Sequence, residues 1–173
     1  MAFRTATSAD ASAISTLVNS GYRGESSKRG WTTEADLLGG QRTDPELVRE
    51  MIQSAGSRIE LACDDGGSLA GCVHLRKEPS GSCYLGMLTV DPARQAGGIG
   101  KRLLIHSEEV ARRWGCTRMR LTVIAGREEL LRFYERRGYA RTGATEPFPE
   151  HDPRFGVPKV KGLEFVEFAK ALA

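Results

Sequence analysis

The segment Asp91-Pro92-Ala93-Arg94-Gln95-Ala96-Gly97-Gly98-Ile99-Gly100-Lys101-Arg102 holds the residues of this chain best suited to chemistry. It follows an apolar run, Tyr84 to Val90, and leads into Ile99, Leu103, Val110, Ala111 and Trp114, which stand roughly in helical register. Read physically, it is strand, glycine-rich turn, helix. The first N–H groups of a helix have no intrahelical acceptor and lie at the positive end of the helix dipole. Glycines remove Cβ atoms, so a phosphate can approach those amides closely. The loop is therefore an anion cradle, with Arg94, Lys101 and Arg102 adding charge at its rim. Two other phosphate-binding loops are excluded by spacing. Gly100-Lys101 is followed by Arg102 rather than Ser or Thr, and G-x-G-x-x-G does not occur in the segment. A tight turn with no ligand uses the same residue types.

Other reactive side chains are scattered. Tyr134 follows Leu130 by one helical turn, the spacing of a core tyrosine, although a phenol can also protonate a leaving group. His151 stands between Glu150 and Asp152 in the proline-rich connection from Pro147 to Pro158, and histidine titrates near neutral pH. Cys63, Cys72, Cys83 and Cys116 form no C-x-x-C pair and lie near no histidine at zinc spacing, so they read as reduced, mostly buried thiols, and no metal site is expected.

The elements that must position these groups can be read along the chain. Phe3 to Thr5 is a short strand, and Thr7 or Ser8 caps a helix running to about Asn19. Residues 21–40 read as a long loop with room for a short helix, rich in Gly, Ser and charge, with Tyr22, Glu25, Trp31, Glu34 and Asp36; long loops in compact domains are often functional. Asp44-Pro45 starts a second helix that Gly56 can end. Arg58–Cys63 and Leu69–Arg76 make a hairpin about Asp65-Gly66-Gly67, and Ser82–Val90 is a further strand. Helix Ile99–Trp114, strand Met119–Ile124, helix Glu128–Arg137 and a strand from Tyr139 follow. The tail Leu163 to Phe168 alternates apolar and acidic residues, as a strand with one buried face does. The expected class is α/β (α+β): a single domain over residues 1–173, with a mixed, mainly antiparallel twisted sheet of six to seven strands and helices on both faces.

Composition bounds the rest. The chain has 173 residues, 40% hydrophobic and 27% charged, with a net charge of +3. No apolar run approaches the ~20 residues of a membrane helix, and the N-terminus lacks a signal-peptide pattern. A cytoplasmic protein without membrane or nucleic-acid partners is expected. The basic stretches Arg112-Arg113 and Arg132 with Arg136-Arg137 are interleaved with acids, as on a solvated helix face.

With its flanking residues the loop resembles a known family. Gln95-x-x-Gly98-x-Gly100 is similar to the Q/R-x-x-G-x-G/A signature of the GNAT superfamily of acyl-CoA-dependent N-acetyltransferases. Leu88-Thr89-Val90-Asp91-Pro92 before it, and Leu103-Leu104 after it, fit the same context. Leu130-Leu131-Arg132-Phe133-Tyr134 with Gly138-Tyr139 resembles the family's later helix and its ending. The resemblance covers residues 58–143 well and the remainder loosely.

The resemblance implies acetyl-CoA as co-substrate. Its pyrophosphate would lie on the amides of Gln95, Ala96, Gly97, Gly98, Ile99, Gly100 and Lys101, and its pantetheine along Leu88, Thr89 and Val90. Tyr134 would be the acid that protonates the departing thiolate. The family's asparagine seven residues before that tyrosine, which touches the pantetheine, is Arg127 here, so either that contact is lost or Arg127 serves a phosphate. The family's strand glutamate, a general base, has no counterpart among Tyr84, Leu85, Gly86 and Met87. A base must come from elsewhere, with Glu25, Glu34, Asp36 and His151 as candidates, or a chain of waters does the work. The acceptor site is expected between the early loop, with Tyr22, Trp31, Glu34, Asp36 and Arg42, and the late loop, with Phe148, His151 and Phe155. Aromatic and acidic residues together suit a cationic small-molecule amine; acid binding by Arg42 or Arg154 would instead indicate an amino-acid-like substrate. The alternatives are a silent acyl-CoA sensor and a protein or peptide N-acetyltransferase. A homodimer through the C-terminal strand is expected if that strand lies at an edge.

Overall fold

The structure, a computed structural model, describes residues 1–173. Nine strands and five helices follow one another in the order β1 (Ala2–Thr5), α1 (Ala11–Tyr22), α2 (Gly24–Ser27), β2 (Leu38–Gly39), α3 (Pro45–Gln53), β3 (Ser57–Cys63), β4 (Leu69–Lys77), β5 (Ser82–Val90), α4 (Ile99–Arg113), β6 (Arg118–Ile124), α5 (Glu128–Glu135), β7 (Ala140–Pro147), β8 (Val157–Pro158) and β9 (Glu164–Ala171). Local chemistry sets several boundaries. Asp44 accepts the N–H groups of Glu46 and Leu47, both at 2.9 Å, and Pro45 opens α3 behind it. Thr7 and Asp10 close a capping box over a 3-10 turn before α1.

Seven strands form one sheet in the order β1-β3-β4-β5-β6-β9-β7, all pairs antiparallel except β5 with β6. The mixed α/β sheet with helices on both faces is as the sequence pattern predicts. Alternation in β3 sends Ile59, Leu61 and Cys63 to the face covered by α1 and α3, and Ala62 to the face covered by α4 and α5. All four cysteines are free and buried. No helix is long and apolar enough to cross a membrane.

Two departures matter. The C-terminal strand β9 is not an edge; it runs between β6 and β7, so the expected pairing of this strand with a second subunit loses its basis. The early loop is also more ordered than its Gly/Ser content suggests. Beyond the short helix α2 that the sequence allowed, it contains β2, which pairs with β8 of the late loop through Leu38 with Pro158 and Gly39 with Val157. Leu38, Phe148, Leu163 and Ile124 form a small apolar cluster beneath that pairing, which supplies the burial a glycine-rich segment cannot supply alone.

Candidate active site

The site begins where two neighbouring strands part. β5 and β6 pair only from Ser82 with Arg118 to Tyr84 with Arg120. From Leu85 to Val90 the β6 side of β5 has no strand partner, which leaves room there for an extended ligand, although the Val90 carbonyl accepts from Gln95 Nε2 at 3.3 Å. A bulge marks the same stretch. Cys72 stands opposite Thr89 and His74 opposite Gly86, so Met87 and Leu88 together oppose Val73. Met87 takes a positive φ of 55°, the one non-glycine residue to do so. The bulge shifts the strand's alternation: Leu85 faces the α4 side, Met87 the α1 side, and Val90 the α4 side again. Thr89 Oγ1 donates to the Met87 carbonyl at 3.1 Å, and the Tyr22 hydroxyl donates to the Leu88 carbonyl.

At the end of β5 lies the glycine loop. Gly98 caps α4 in the left-handed region, φ 70°, where a side chain would be strained. The first helical bond runs from Arg102 N–H to the Gly98 carbonyl, so the N–H groups of Gly98, Ile99, Gly100 and Lys101 have no acceptor within the chain. Gly97 and Gly98 are exposed. These four amides, at the positive end of a 15-residue helix, fit a pyrophosphate without help from a charged side chain. Gln95 does not turn toward that cradle. Its Oε1 accepts from Trp31 N–H at 2.9 Å, and its Nε2 donates to Thr32 Oγ1 at 2.8 Å, tying the early loop to the glycine loop.

The parted strands open into a cleft of about 520 Å³ between β5, β6, α5 and the two loops. Tyr134 from α5 lines it. Its ring packs edge-on against Phe133 and Tyr139, and its hydroxyl has no hydrogen-bond partner within the chain. Burial pushes the phenol well above its ordinary range, so it stays protonated. Tyr22 also lines the cleft, and its phenol is raised too, by burial first and by Glu34 second.

Glu34 is brought to the cleft but is fully engaged. It pairs with Arg23 through one oxygen and with Arg127 at 2.8 Å through the other, all three side chains being less than a tenth exposed. Arg127 also donates to the Thr32 carbonyl, and Arg23 to the Phe155 carbonyl at 2.9 Å. Arg127 therefore fastens the early loop to the start of α5 rather than reaching the glycine loop. Both Glu34 carboxylate oxygens are thus occupied by guanidinium groups.

The structure does not bring the remaining candidates in. His151 is exposed in the late loop, Asp36 is exposed on the early loop, and Trp31 lies outside the cleft against Phe133 at 5.5 Å; none of them lines the cleft. Phe148 and Phe155 do line it.

Sequence reasoning missed His74. It sits on β4 opposite Gly86, 8% exposed, and lines the cleft. Ser57 Oγ donates to the Met51 carbonyl at 2.7 Å and so can only accept from His74 Nε2, 2.8 Å away. That fixes the Nε2–H tautomer and leaves Nδ1 unprotonated. Burial, with Arg76 and then Arg42 nearby, pushes the imidazole down to about 4, so it is neutral at pH 7. The one available signal was a lone histidine inside the apolar run Cys72-Val73-His74-Leu75. Tyr84 completes the floor. Its ring lies over Gly86, where a Cβ would come within 2.9 Å of it, and Arg76 and Arg120 stand 5.2 and 5.0 Å from the ring centre.

Comparison with known proteins places this geometry. The profile of the Acetyltransferase (GNAT) family matches residues 29–139, and the chain belongs to that family of acetyltransferases. Solved structures share the fold. A candidate phosphinothricin N-acetyltransferase superposes with a TM-score of 0.74 at 17% identity, over 99% of this chain and 98% of that one. Ribosomal-protein-alanine N-acetyltransferase from Brucella melitensis gives 0.73 at 20%, over 99% and 100%. YncA, a candidate acetyltransferase from Salmonella typhimurium solved with acetyl-CoA, gives 0.71 at 21%, over 100% and 94%. No curated protein matches the sequence at a significant level.

Proposed function

We propose that the chain transfers an acetyl group from acetyl-CoA to the amine of a small molecule by direct attack, with Tyr134 as the acid that protonates the leaving thiolate. The observation that carries this is the union of two open features at one splayed strand. The four unpaired amides from Gly98 to Lys101 suit the pyrophosphate, and the stretch Leu88-Thr89-Val90, without a strand partner on its β6 side, suits the pantetheine. The solved relative that holds acetyl-CoA supports the choice of donor.

In this reading the amine lone pair forms the C–N bond as the thioester C–S bond breaks. The electron pair leaves on sulfur, and the Tyr134 phenol delivers a proton to it. The amine proton leaves to solvent through the cleft, and the same solvent reprotonates Tyr134, so no proton is gained or lost by the chain. The raised phenol keeps Tyr134 protonated, so its proton is in place when the thiolate forms. Glu34 takes no part as base; its work is to hold Arg23 and Arg127. The walls formed by Phe148 and Phe155 favour a small acceptor over an extended peptide.

The test is thiol release from acetyl-CoA on addition of amines from a panel, with the acetylated product identified by mass. Turnover that falls about a hundredfold in kcat for Tyr134→Phe supports the reading. Acetyl-CoA bound but never consumed with any amine or peptide would reduce the chain to an acyl-CoA sensor.

A further inference from the structure

The cations of the cleft outnumber its anions. Arg23, Arg42, Arg76 and Arg127 line it, against Glu34 and the exposed Glu146. Glu34 is consumed by Arg23 and Arg127. Arg76 is 3.5 Å from Glu78, whose oxygens are already held by Arg120 at 2.6 and 2.7 Å. Arg42 has no ion pair and no side-chain hydrogen bond at all. It is also not a loose surface arginine. Asn19 accepts the backbone N–H groups of Arg42 and Thr43 at 2.7 and 3.2 Å and donates to the Thr43 carbonyl at 2.9 Å, which fixes the root of the side chain. Its guanidinium lies 5.9 Å over the Tyr22 ring, and the Tyr22 hydroxyl holds the Leu88 carbonyl at the bulge. A held, half-buried guanidinium thus stands one aromatic ring away from the strand segment assigned to the pantetheine.

We infer that the acceptor is an amine that also carries an oxyacid group, as an amino acid or an aminoalkylphosphonate does, and that Arg42 receives that acid. This deepens the acetyl-transfer reading and rests on it. A guanidinium offers planar paired donors and no acceptor, the match for a carboxylate or phosphonate. An ammonium, by contrast, meets only one free carboxylate in the cleft, the exposed Glu146, against four guanidinium groups. The surrounding cations raise the cost of its charge, so the amine binds as the free base that attack requires. A neutral His74 adds no charge to that balance and offers Nδ1 to one of the amine's N–H groups. The absence of a strand carboxylate then follows from the substrate: the positive cleft does by field what a base would do by proton transfer. The cationic amine expected from Glu34 and Asp36 gives way, because one is engaged and the other lies outside.

The experiment is thiol release from acetyl-CoA by the full chain, with matched pairs: 2-aminoalkanoic acids and aminoalkylphosphonates against their carboxamides, and diamines as cationic controls. The acids are expected to exceed their amides at least about tenfold in kcat/KM. Arg42→Gln should collapse that preference to within about twofold, by raising the KM of the acid roughly tenfold to a hundredfold. Its melting curve checks the fold, since the Arg42 side chain has no ion pair or hydrogen bond to lose and only its contact with the Tyr22 ring changes. Amides or diamines preferred over the acids, or Arg42→Gln lowering acid and amide alike, would overturn the inference and leave acetyl transfer standing. Acetyl-CoA bound with no member of the panel acetylated would overturn both.

Discussion

At the glycine loop the working groups belong to the backbone: unpaired N–H groups at the head of α4 and an unpaired strand edge on β5. At the acceptor end they belong to side chains, brought from distant parts of the chain and held by one another. Glu34 joins Arg23 on α1's exit to Arg127 at the start of α5, 93 residues away. The first region depends on which residues lack a side chain, the second on which charges meet. The first can be disturbed only locally, whereas the second ties the early loop, the late loop and α5 into one unit.

The largest effect should come from cutting that tie. Glu34→Ala leaves two buried guanidinium groups without their shared carboxylate and is expected to lower stability by about 3–5 kcal/mol, read by urea unfolding. A loss under about 1 kcal/mol would mean that the ion pairs do not hold the loop. Next is acid. His74 is buried neutral with its folded value lowered to about 4. The unfolded chain therefore binds the proton more readily, and stability falls as pH drops from about 6.5 toward 4. The loss is at most roughly 3 kcal/mol across that window, and His74→Gln should flatten it. A slope unchanged in that variant would contradict the assignment. On the backbone side the effects are smaller. Gly98→Ala puts a Cβ at φ 70° and should cost about 1 kcal/mol while weakening acetyl-CoA binding in calorimetry. Asp36→Asn, at an exposed position outside the cleft, should stay within about 0.5 kcal/mol of the parent chain and leave thiol release unchanged.

The same contrast decides what could be read in advance. The loop was legible because glycine spacing between a strand and a helix is itself the chemistry, and because both elements announce their periods within a few residues. The strands of the sheet were legible for that reason too, down to Ser82–Val90. The acceptor end was not. Nothing local to Glu34 predicts two arginine partners, so it looked like a free base. Nothing local to the tail places β9 inside the sheet, because strand order is a long-range choice. His74 was hidden by its surroundings, one polar residue in an apolar strand, and its meaning depends on Ser57 across the ladder and Met51 on α3. Met87's positive φ has no sequence sign at all.

The central claim is that the loop from Gly98 to Lys101 and the open edge of β5 together hold acetyl-CoA. It is tested most directly by calorimetric titration of acetyl-CoA into the full chain. The account predicts saturable binding at one site per chain, with a Kd in the micromolar range that Gly98→Ala weakens. The absence of any binding heat at millimolar acetyl-CoA would contradict it.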